Sequence, residues 1–334
     1  MPDEVPMRFF LEETSFELPL ALDIAAIEKC LEAFVALMRA RHDQDHDIFR
    51  WSKLDEIEVR PGTPFCDLLY QEVASLPIDR DLRSALRDAI NRCVLWDDRI
   101  EHAPHPLVDI AGVACTSPTG AVVHALLAAQ HGAACLSPGL RPERAGAVSL
   151  RAGAVTHEVH FLTHESQLPL FYRTLFEVED LQRDAYMENA LDAFPEIAFV
   201  TGLSAQLGGF ETSYRELRPI LTSHLAVLND HFPAVFKRHG GKTFETTKEI
   251  GAAYHVDATP ESSTTHTDKK AMKQRDVVIE SVLLGRRRLA VKKTISCEWH
   301  TKIKPRTDRL HFHPGMDDVA GGKLIVGRFV NHLK

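Results

Sequence analysis

A short stretch near the C-terminus concentrates residue types that transfer protons and bind phosphate. Apolar and polar residues alternate strictly from Ile295 to Ile303, and they alternate in the opposite sense from Arg309 to His313. Such alternation is typical of β-strands with one buried and one solvated face. We therefore predict an antiparallel hairpin with a four-residue loop at 305–308, in which the apolar sets of both strands share one side.

The polar residues of both strands then share the other side of the hairpin. The predicted cross-strand pairs are Lys304 with Arg309, Lys302 with His311, and His300 with His313. Opposed side chains on neighbouring strands have β-carbons about 5 Å apart, so the polar groups would form a compact array. The members of this array are Glu298, His300, Lys302, Arg309, His311 and His313. A cluster so rich in cations repels itself unless it meets an anion, and phosphate is the simplest candidate.

Three histidines distinguish this array from an ordinary solvated face. Polar residues on the outer face of a sheet are the default, and long basic side chains there keep a protein in solution. Histidine, however, is the side chain best suited to proton transfer near neutral pH. The set as a whole therefore indicates chemistry on a phosphate, while a merely solvated face is the alternative for each residue taken singly.

Further cations cluster around a turn upstream of the hairpin. Such residues can contact phosphates and position a nucleic acid without reading its sequence. Together with His313, the predicted substrate-binding residues are Arg286, Arg287, Arg288, Lys292 and Lys293. The sequence has no Walker A motif, GxGxxG fingerprint, GxSxG elbow or CxxC pair, so we expect neither a metal ion nor another cofactor.

A second interpretation uses acidic residues of the same region. Four positions loosely resemble the acidic residues and lysine of restriction-endonuclease-type nucleases: Asp276, Glu280, Glu298 and Lys302. Those enzymes place an acidic residue and a lysine two positions apart, whereas Glu298 and Lys302 are four apart, with His300 between them. A metal-dependent DNA nuclease that uses Glu280, Glu298 and Lys302 is one alternative function. A non-catalytic nucleic-acid- or protein-binding component of a defence system is another.

Charge divides the chain of 334 residues into two parts. Residues 237–334 carry 20 Lys and Arg and 11 Asp and Glu, a net charge of +9, whereas residues 1–236 have a net charge of −17. We predict an α+β protein with two domains. Residues 1–240 would form an acidic, mainly helical regulatory or assembly region, with a helix at 22–42 and a small β element whose strands lie at 148–150 and 158–162. Residues 241–334 would form a basic antiparallel β-meander that acts on nucleic acid and whose last strand lies at 324–330.

Cysteine usage and hydropathy indicate where the protein resides. The six cysteines are scattered, which is typical of free thiols in a reducing compartment. The N-terminus lacks the order of a signal peptide, and no apolar run approaches the about 20 residues that span a bilayer. We therefore expect a cytoplasmic protein without membrane partners. Its acidic region would serve a protein partner or self-association.

The C-terminal block CEWHTKIKPRTDRLHFHPG…GGKLIVGRFVNHLK resembles the end of an uncharacterised bacterial family whose members occur among mobile-element and phage-defence genes. The same block resembles the β-meander of RelE/ParE-type toxins. In those proteins an Arg-bearing strand of the form RLHF precedes a Gly turn and an apolar strand. The resemblance does not extend to the N-terminal helical hairpin of those toxins.

The resemblance to these toxins implies a metal-independent endoribonuclease in a toxin or phage-defence context. In such a reaction a base deprotonates the ribose 2′-hydroxyl, cations stabilise the charged phosphorane and an acid protonates the leaving oxygen. The roles implied here are His300 or His311 as base and acid, Arg309 and Lys302 as phosphate clamp, and Glu298 as orienting group. RNA is the favoured substrate.

Overall fold

The computed structural model describes residues 6–19, 22–100, 104–261, 273–284 and 286–331. The chain divides into two compact units, Met1–Phe171 and Tyr172–Lys334. Each unit contains helices and a β-sheet, which confirms the predicted α+β class. No helix in the described part of the chain has the length and apolar character needed to cross a bilayer.

The first unit is built around an eight-stranded mixed sheet with the order β5-β2-β1-β8-β10-β9-β6-β7. Its elements are β1 (Phe9–Leu11), α1 (Ile24–His42), β2 (Ile48–Arg50), β3 (Glu58–Arg60), β4 (Thr63–Pro64), α2 (Phe65–Tyr70), α3 (Arg80–Asn91), β5 (Val94–Leu95), β6 (Leu107–Ile110), β7 (Val113–Thr116), α4 (Pro118–Ala128), β8 (Ala134–Leu136), β9 (Gly146–Ala152) and β10 (Val155–Leu162). The first five strands in this order, β5, β2, β1, β8 and β10, are parallel to their neighbours. The remaining pairs, β10 with β9, β9 with β6 and β6 with β7, are antiparallel.

This sheet is much larger than the small β element that the sequence predicted for residues 1–240. The strands β1, β2 and β8 have three residues each, and β1 and β8 are buried at every position. Strands covered on both faces carry no polar–apolar alternation, so their short apolar runs give no periodic signal. The sequence therefore revealed only β9 and β10.

A buried polar cluster follows the carboxyl end of β1. The Glu13 carboxylate accepts hydrogen bonds from the Ser117 hydroxyl at 2.7 Å and the Thr119 N–H at 3.2 Å, and also from the Thr119 hydroxyl. These contacts hold the first turn of α4 against β1. The guanidinium of Arg144 lies 3.8 Å from the adjacent Glu12 carboxylate. Burial, with the neighbouring charge of Glu12, raises the pKa of Glu13 to about 7.

The contribution of Glu13 to stability is expected to decrease as the pH rises. Its folded-state pKa of about 7 lies above the ordinary glutamate pKa of 4.5. The stabilisation is therefore complete below pH 4.5 and is lost as the pH rises through 7, with a slope of at most about 1.4 kcal/mol per pH unit. Denaturant unfolding of wild type and Glu13→Gln at a series of pH values between 4.5 and 8 measures the difference. The variant should show the flatter profile, and parallel profiles would contradict the assignment.

The second unit contains a seven-stranded sheet with the order β12-β15-β16-β17-β11-β13-β14. The division of the chain falls within α5 (Leu168–Val178). The following elements are α6 (Arg183–Ala193), β11 (Ile197–Val200), α7 (Leu203–Gln206), α8 (Tyr214–Asp230), α9 (Phe232–Arg238), α10 (Thr243–Tyr254), β12 (Ala258–Pro260), β13 (Asp276–Leu284), β14 (Arg287–Ser296), β15 (Trp299–Lys302), β16 (Arg309–His313) and β17 (Leu324–Val330). Only the pair of β11 and β17 is parallel among the described strands of this sheet.

The division between the units differs from the boundary predicted at residue 240. The strand β11 pairs with β17 and β13 in the second sheet, so a segment assigned to the acidic region belongs with the β-meander. Residues 172–334 carry 24 Lys and Arg and 21 Asp and Glu, a net charge of +3, and residues 1–171 have a net charge of −11. The two units keep opposite signs of charge, but the second is only weakly basic as a whole.

An aromatic layer supports the apolar face of β15 and β16. The ring of Phe232 on α9 packs edge-on against Trp299 and Phe312, with centroid distances of 5.2 and 4.9 Å. On the same face, Nδ1 of His224 on α8 lies 2.9 Å from the Thr301 hydroxyl. Helices α8 and α9 therefore fix the position of both strands from one side, and the polar residues of the hairpin point to the other.

Candidate functional site

The predicted hairpin exists as β15 and β16, but its register differs from the predicted one by two residues. His300 lies opposite His311, and Lys302 lies opposite Arg309. The sequence had placed Lys302 opposite His311. Because side chains alternate with a period of two, a shift of two residues leaves all four side chains on the same face. The predicted sharing of one face is therefore correct, and the predicted pairs are wrong.

The register shift follows from a longer connection, which spans residues 303–308. The N–H groups of Ile303 and Lys304 donate to the Asp308 carbonyl at 3.0 and 3.2 Å. The buried Asp308 carboxylate accepts from the N–H groups of Glu211 and Thr212 at 2.8 and 3.0 Å. A contact with a segment almost a hundred residues upstream thus determines the loop, which local alternation could not indicate.

Two histidines on the polar face of the hairpin are buried, in contrast to the predicted solvated surface. His300 is 4% exposed and His311 is 1% exposed. The two imidazole rings lie 5.3 Å apart. The strand β12 pairs with the edge of β15 and places Glu261, the residue after β12, beside His300. Burial brings these groups into a low-dielectric setting where unpaired polar atoms are costly.

Glu261 and two arginines surround His300. The His300 Nδ1 lies 3.6 Å from Glu261 Oε1, and the same oxygen accepts a hydrogen bond from Arg275 Nε at 3.0 Å. On the other side of the ring, His300 Nε2 lies 3.4 Å from both the Thr259 hydroxyl and Arg309 Nη1. The imidazole therefore stands between a carboxylate and a guanidinium.

His311 has a defined tautomer. Its Nδ1 lies 3.3 Å from the carbonyl oxygen of Cys297, so Nδ1 carries the proton and donates it. The lone pair of Nε2 then points into the buried region, where it has no hydrogen-bond partner within the described ranges. One possible ligand atom from each of Glu261, His300 and His311 lies within 4.8 Å of the other two. We call these three residues the His–Glu cluster.

Both histidines of the His–Glu cluster are neutral at pH 7. Burial lowers the pKa of His311 to about 3, with the neighbouring His300 adding to the effect. Burial, followed by the positive charge of Arg309, lowers the pKa of His300 to about 4. A neutral imidazole offers a lone pair for a proton, a metal ion or a hydrogen-bond donor.

Two members of the predicted array, Glu298 and His313, line a cavity instead of joining this cluster or contacting His300. Glu298 follows the end of β14, where the strand predicted over 295–303 is interrupted, and it lines a cavity of about 360 Å³ together with His313. His313 Nδ1 accepts a hydrogen bond from the Gly315 N–H at 3.1 Å. The carboxylate beside His300 therefore belongs to Glu261 and not to Glu298, the residue predicted to orient the reacting groups. Glu261 was not among the predicted site residues. Glu261 carries no motif and precedes His300 by a long polar segment, so no sequence signal identified it.

Three of the five cations that were predicted to bind substrate already have hydrogen-bond or ion-pair partners within the protein. The pairs are Arg286 with Asp192 and Glu188, Arg288 with Ser281, and Lys293 with Asp318. The remaining two, Arg287 and Lys292, are exposed on β14, the edge strand of the second sheet. The upstream cations thus form a smaller basic surface than the sequence suggested.

The residues of the restriction-endonuclease-type alternative are not brought together. Glu280 is exposed on β13, and Lys302 is on β15 with its ammonium 2.7 Å from the Asp257 carboxylate. Three strands separate β13 from β15, a distance on the order of 19 Å at the usual strand spacing. A metal site that uses Glu280 and Lys302 therefore does not form in this sheet.

No protein-family model, no curated protein and no solved structure matches this chain. The resemblances drawn from the C-terminal block therefore remain predictions. The function has to be inferred from the His–Glu cluster and the cations beside it.

Proposed function

We propose that the second unit cleaves phosphodiester bonds in nucleic acid, with RNA as the favoured substrate. The observation that carries the proposal is the contact between a neutral, buried imidazole pair and the Arg309 guanidinium, which lies 3.4 Å from His300. A proton-accepting group and a phosphate-binding cation are two of the components that phosphodiester cleavage uses. A toxin or phage-defence role, predicted from the C-terminal block, is the biological setting of this proposal.

Arg309 is the residue best placed to bind the substrate phosphate. Its Nε is buried and donates no hydrogen bond to any other described residue. A guanidinium presents its N–H groups in a planar fork that matches two phosphate oxygens. An anionic oxygen would satisfy the unpaired N–H and would bring the phosphorus close to the imidazole of His300.

The proposal is tested by incubating purified protein with end-labelled RNA, single-stranded DNA and duplex DNA, with and without EDTA. Wild type should cleave RNA, and the double variant His300→Ala/His311→Ala should cleave at least about 10²-fold more slowly. His224→Ala is the matched control, because His224 is equally buried, has a pKa lowered to about 4 by burial and lies on the opposite face of the hairpin.

The control separates loss of chemistry from loss of stability, and His224→Ala should retain the wild-type rate at temperatures where both variants are folded by circular dichroism. Absence of cleavage by wild type would contradict the proposal. Tight binding of RNA without cleavage would instead favour the non-catalytic binding component. Cleavage of DNA but not RNA would contradict the substrate preference.

A further inference from the structure

We propose that the His–Glu cluster holds a resident transition-metal ion of the zinc type, bound through a carboxylate oxygen of Glu261, Nδ1 of His300 and Nε2 of His311. No motif in the sequence indicates this site, and no metal ion was expected. Metal binding here goes beyond the proposed cleavage reaction, because the ion can bind whether or not the protein acts on RNA. A bound ion would occupy the lone pairs of both imidazoles, so the base of that reaction would then be a metal-bound water in place of a histidine.

The spacing of the three ligand atoms suits a single ion. In a tetrahedral zinc site the bonds are about 2.0–2.2 Å long, which places neighbouring ligand atoms about 3.4 Å apart. His300 Nδ1 and Glu261 Oε1 are already 3.6 Å apart. One ring nitrogen of each histidine and one Glu261 oxygen lie within 4.8 Å of one another, so these atoms need to close by no more than about 1.4 Å.

Two buried ring nitrogens without partners converge at this point. His300 Nδ1 and His311 Nε2 are both buried, and neither has a hydrogen-bond partner in the described parts of the chain. A buried polar atom without a partner costs about 1–3 kcal/mol, and native proteins rarely leave two of them side by side. A cation between the two nitrogens and the Glu261 carboxylate gives both nitrogens a partner at once, with release of a proton from the ring of His300.

Each of the three ligand side chains has a polar neighbour of the kind that orients ligands in metal sites. The Cys297 carbonyl accepts the Nδ1–H of His311, which leaves Nε2 unprotonated. The Thr259 hydroxyl, 3.4 Å from His300 Nε2, can accept a proton from that nitrogen when Nδ1 binds the ion, in exchange for the hydrogen bond that Nε2 accepts from Arg309. Arg275 donates to the Glu261 carboxylate and orients it. His311 and Glu261 thus have neighbours that favour their metal-binding forms, and His300 reaches its metal-binding form by a change of tautomer.

The donor set selects the class of ion and the type of site. Two imidazoles favour zinc and other first-row transition metals over Mg²⁺ and Ca²⁺, which prefer sites made of oxygen ligands. Three protein ligands, with no thiolate among the described ones, leave at least one position for water or substrate. Closed structural zinc sites usually have four protein ligands, so this site is of the open, reactive type.

The test is the metal content of full-length protein that has been stripped with a chelator and then equilibrated with Zn²⁺ or Mg²⁺. After gel filtration, elemental analysis should find one zinc and no magnesium per wild-type chain. His311→Gln and Glu261→Gln should each weaken zinc binding at least 100-fold in calorimetric titrations, while His224→Ala should retain one zinc. Fewer than 0.1 zinc per wild-type chain, or full zinc content in both cluster variants, would overturn the site.

A spectroscopic measurement on the wild-type protein tests the site without relying on variants, which could fail to fold. Co²⁺ in place of zinc should give visible absorption typical of four or five nitrogen and oxygen ligands, without a thiolate charge-transfer band; the spectrum of aqueous Co²⁺ would overturn the site.

Zinc binding without RNA cleavage would refute the proposed function and leave the metal site standing. RNA cleavage by protein that binds no zinc would do the reverse.

Discussion

Replacement of Arg144 by methionine is expected to lower the free energy of unfolding of the first unit by about 3–5 kcal/mol. Arg144 and Glu12 are both fully buried, with 0% exposed surface. Removing the guanidinium leaves the Glu12 carboxylate, 3.8 Å from Arg144 Nε, without its buried counter-charge. An uncompensated buried charge is among the most destabilising changes that one substitution can make.

Hydrogen bonds add to the effect of Arg144. Its Nη1 donates to the Ile110 carbonyl at 3.0 Å, and its Nε and Nη2 donate to the Thr14 hydroxyl at 3.1 and 3.0 Å. The Thr14 hydroxyl in turn lies 2.9 Å from the Glu12 carboxylate. Arg144 therefore links β6 to the segment after β1, and methionine keeps its bulk while removing every donor.

Urea unfolding followed by circular dichroism measures this loss. Arg151→Met is the matched control, since Arg151 also pairs with a carboxylate, Asp109 at 2.9 Å, but its side chain is 55% exposed. The control should lose less than about 1 kcal/mol. The double variant Glu12→Gln/Arg144→Met should recover part of the loss, because it removes both charges. A loss below 1 kcal/mol for Arg144→Met would contradict the role of the buried pair.

Replacement of Arg309 by alanine is expected to lower kcat/KM for RNA by about 10²–10³, the usual effect of removing one donor that stabilises a developing anion. Lys302→Ala should cost less than about tenfold, although Lys302 lies opposite Arg309 in the hairpin. The ammonium of Lys302 already pairs with Asp257 at 2.7 Å and is 30% exposed. Arg309→Lys should not restore the rate, because an ammonium lacks the planar fork.

Single-turnover cleavage of a short labelled RNA measures these effects without interference from product release. Arg306→Ala, in the exposed loop between β15 and β16, serves as the control for loss of positive charge near the hairpin. The comparison also separates binding from chemistry, since a role confined to binding would raise KM and leave kcat unchanged. A change of less than threefold in kcat/KM for Arg309→Ala would remove Arg309 from the site.

Elements with strong periodicity or clean alternation could be predicted from the sequence. The helix expected at residues 22–42 is α1, and the strands expected at 309–313 and 324–330 match β16 and β17. Three-residue strands such as β1 and β8 could not be predicted, because a short apolar run gives no periodic signal. The division of the chain was also missed, since β11 joins the second sheet through contacts far along the sequence.

The site could be predicted only in part, for a similar reason. Alternation placed His300, Lys302, Arg309 and His311 on one face, and period-two geometry made that inference independent of the exact register. The contact of His300 with Glu261 depends on β12, which reaches β15 only through tertiary pairing. Cations near a turn also looked like a phosphate surface, yet Arg286 and Lys293 have intramolecular carboxylate partners.

The strand order of the second sheet sets the time at which its site can form during synthesis. β17 lies between β16 and β11, so among the described strands the group β12-β15-β16 and the group β11-β13-β14 are joined only through β17, which follows all of them in the sequence. The histidines are thus translated well before the sheet that buries them can close. The first unit needs no residue beyond 171 for its sheet and can fold earlier. A nascent chain would carry a folded first unit and an inert second one, and any activity of the second unit begins with the addition of residues 324–330.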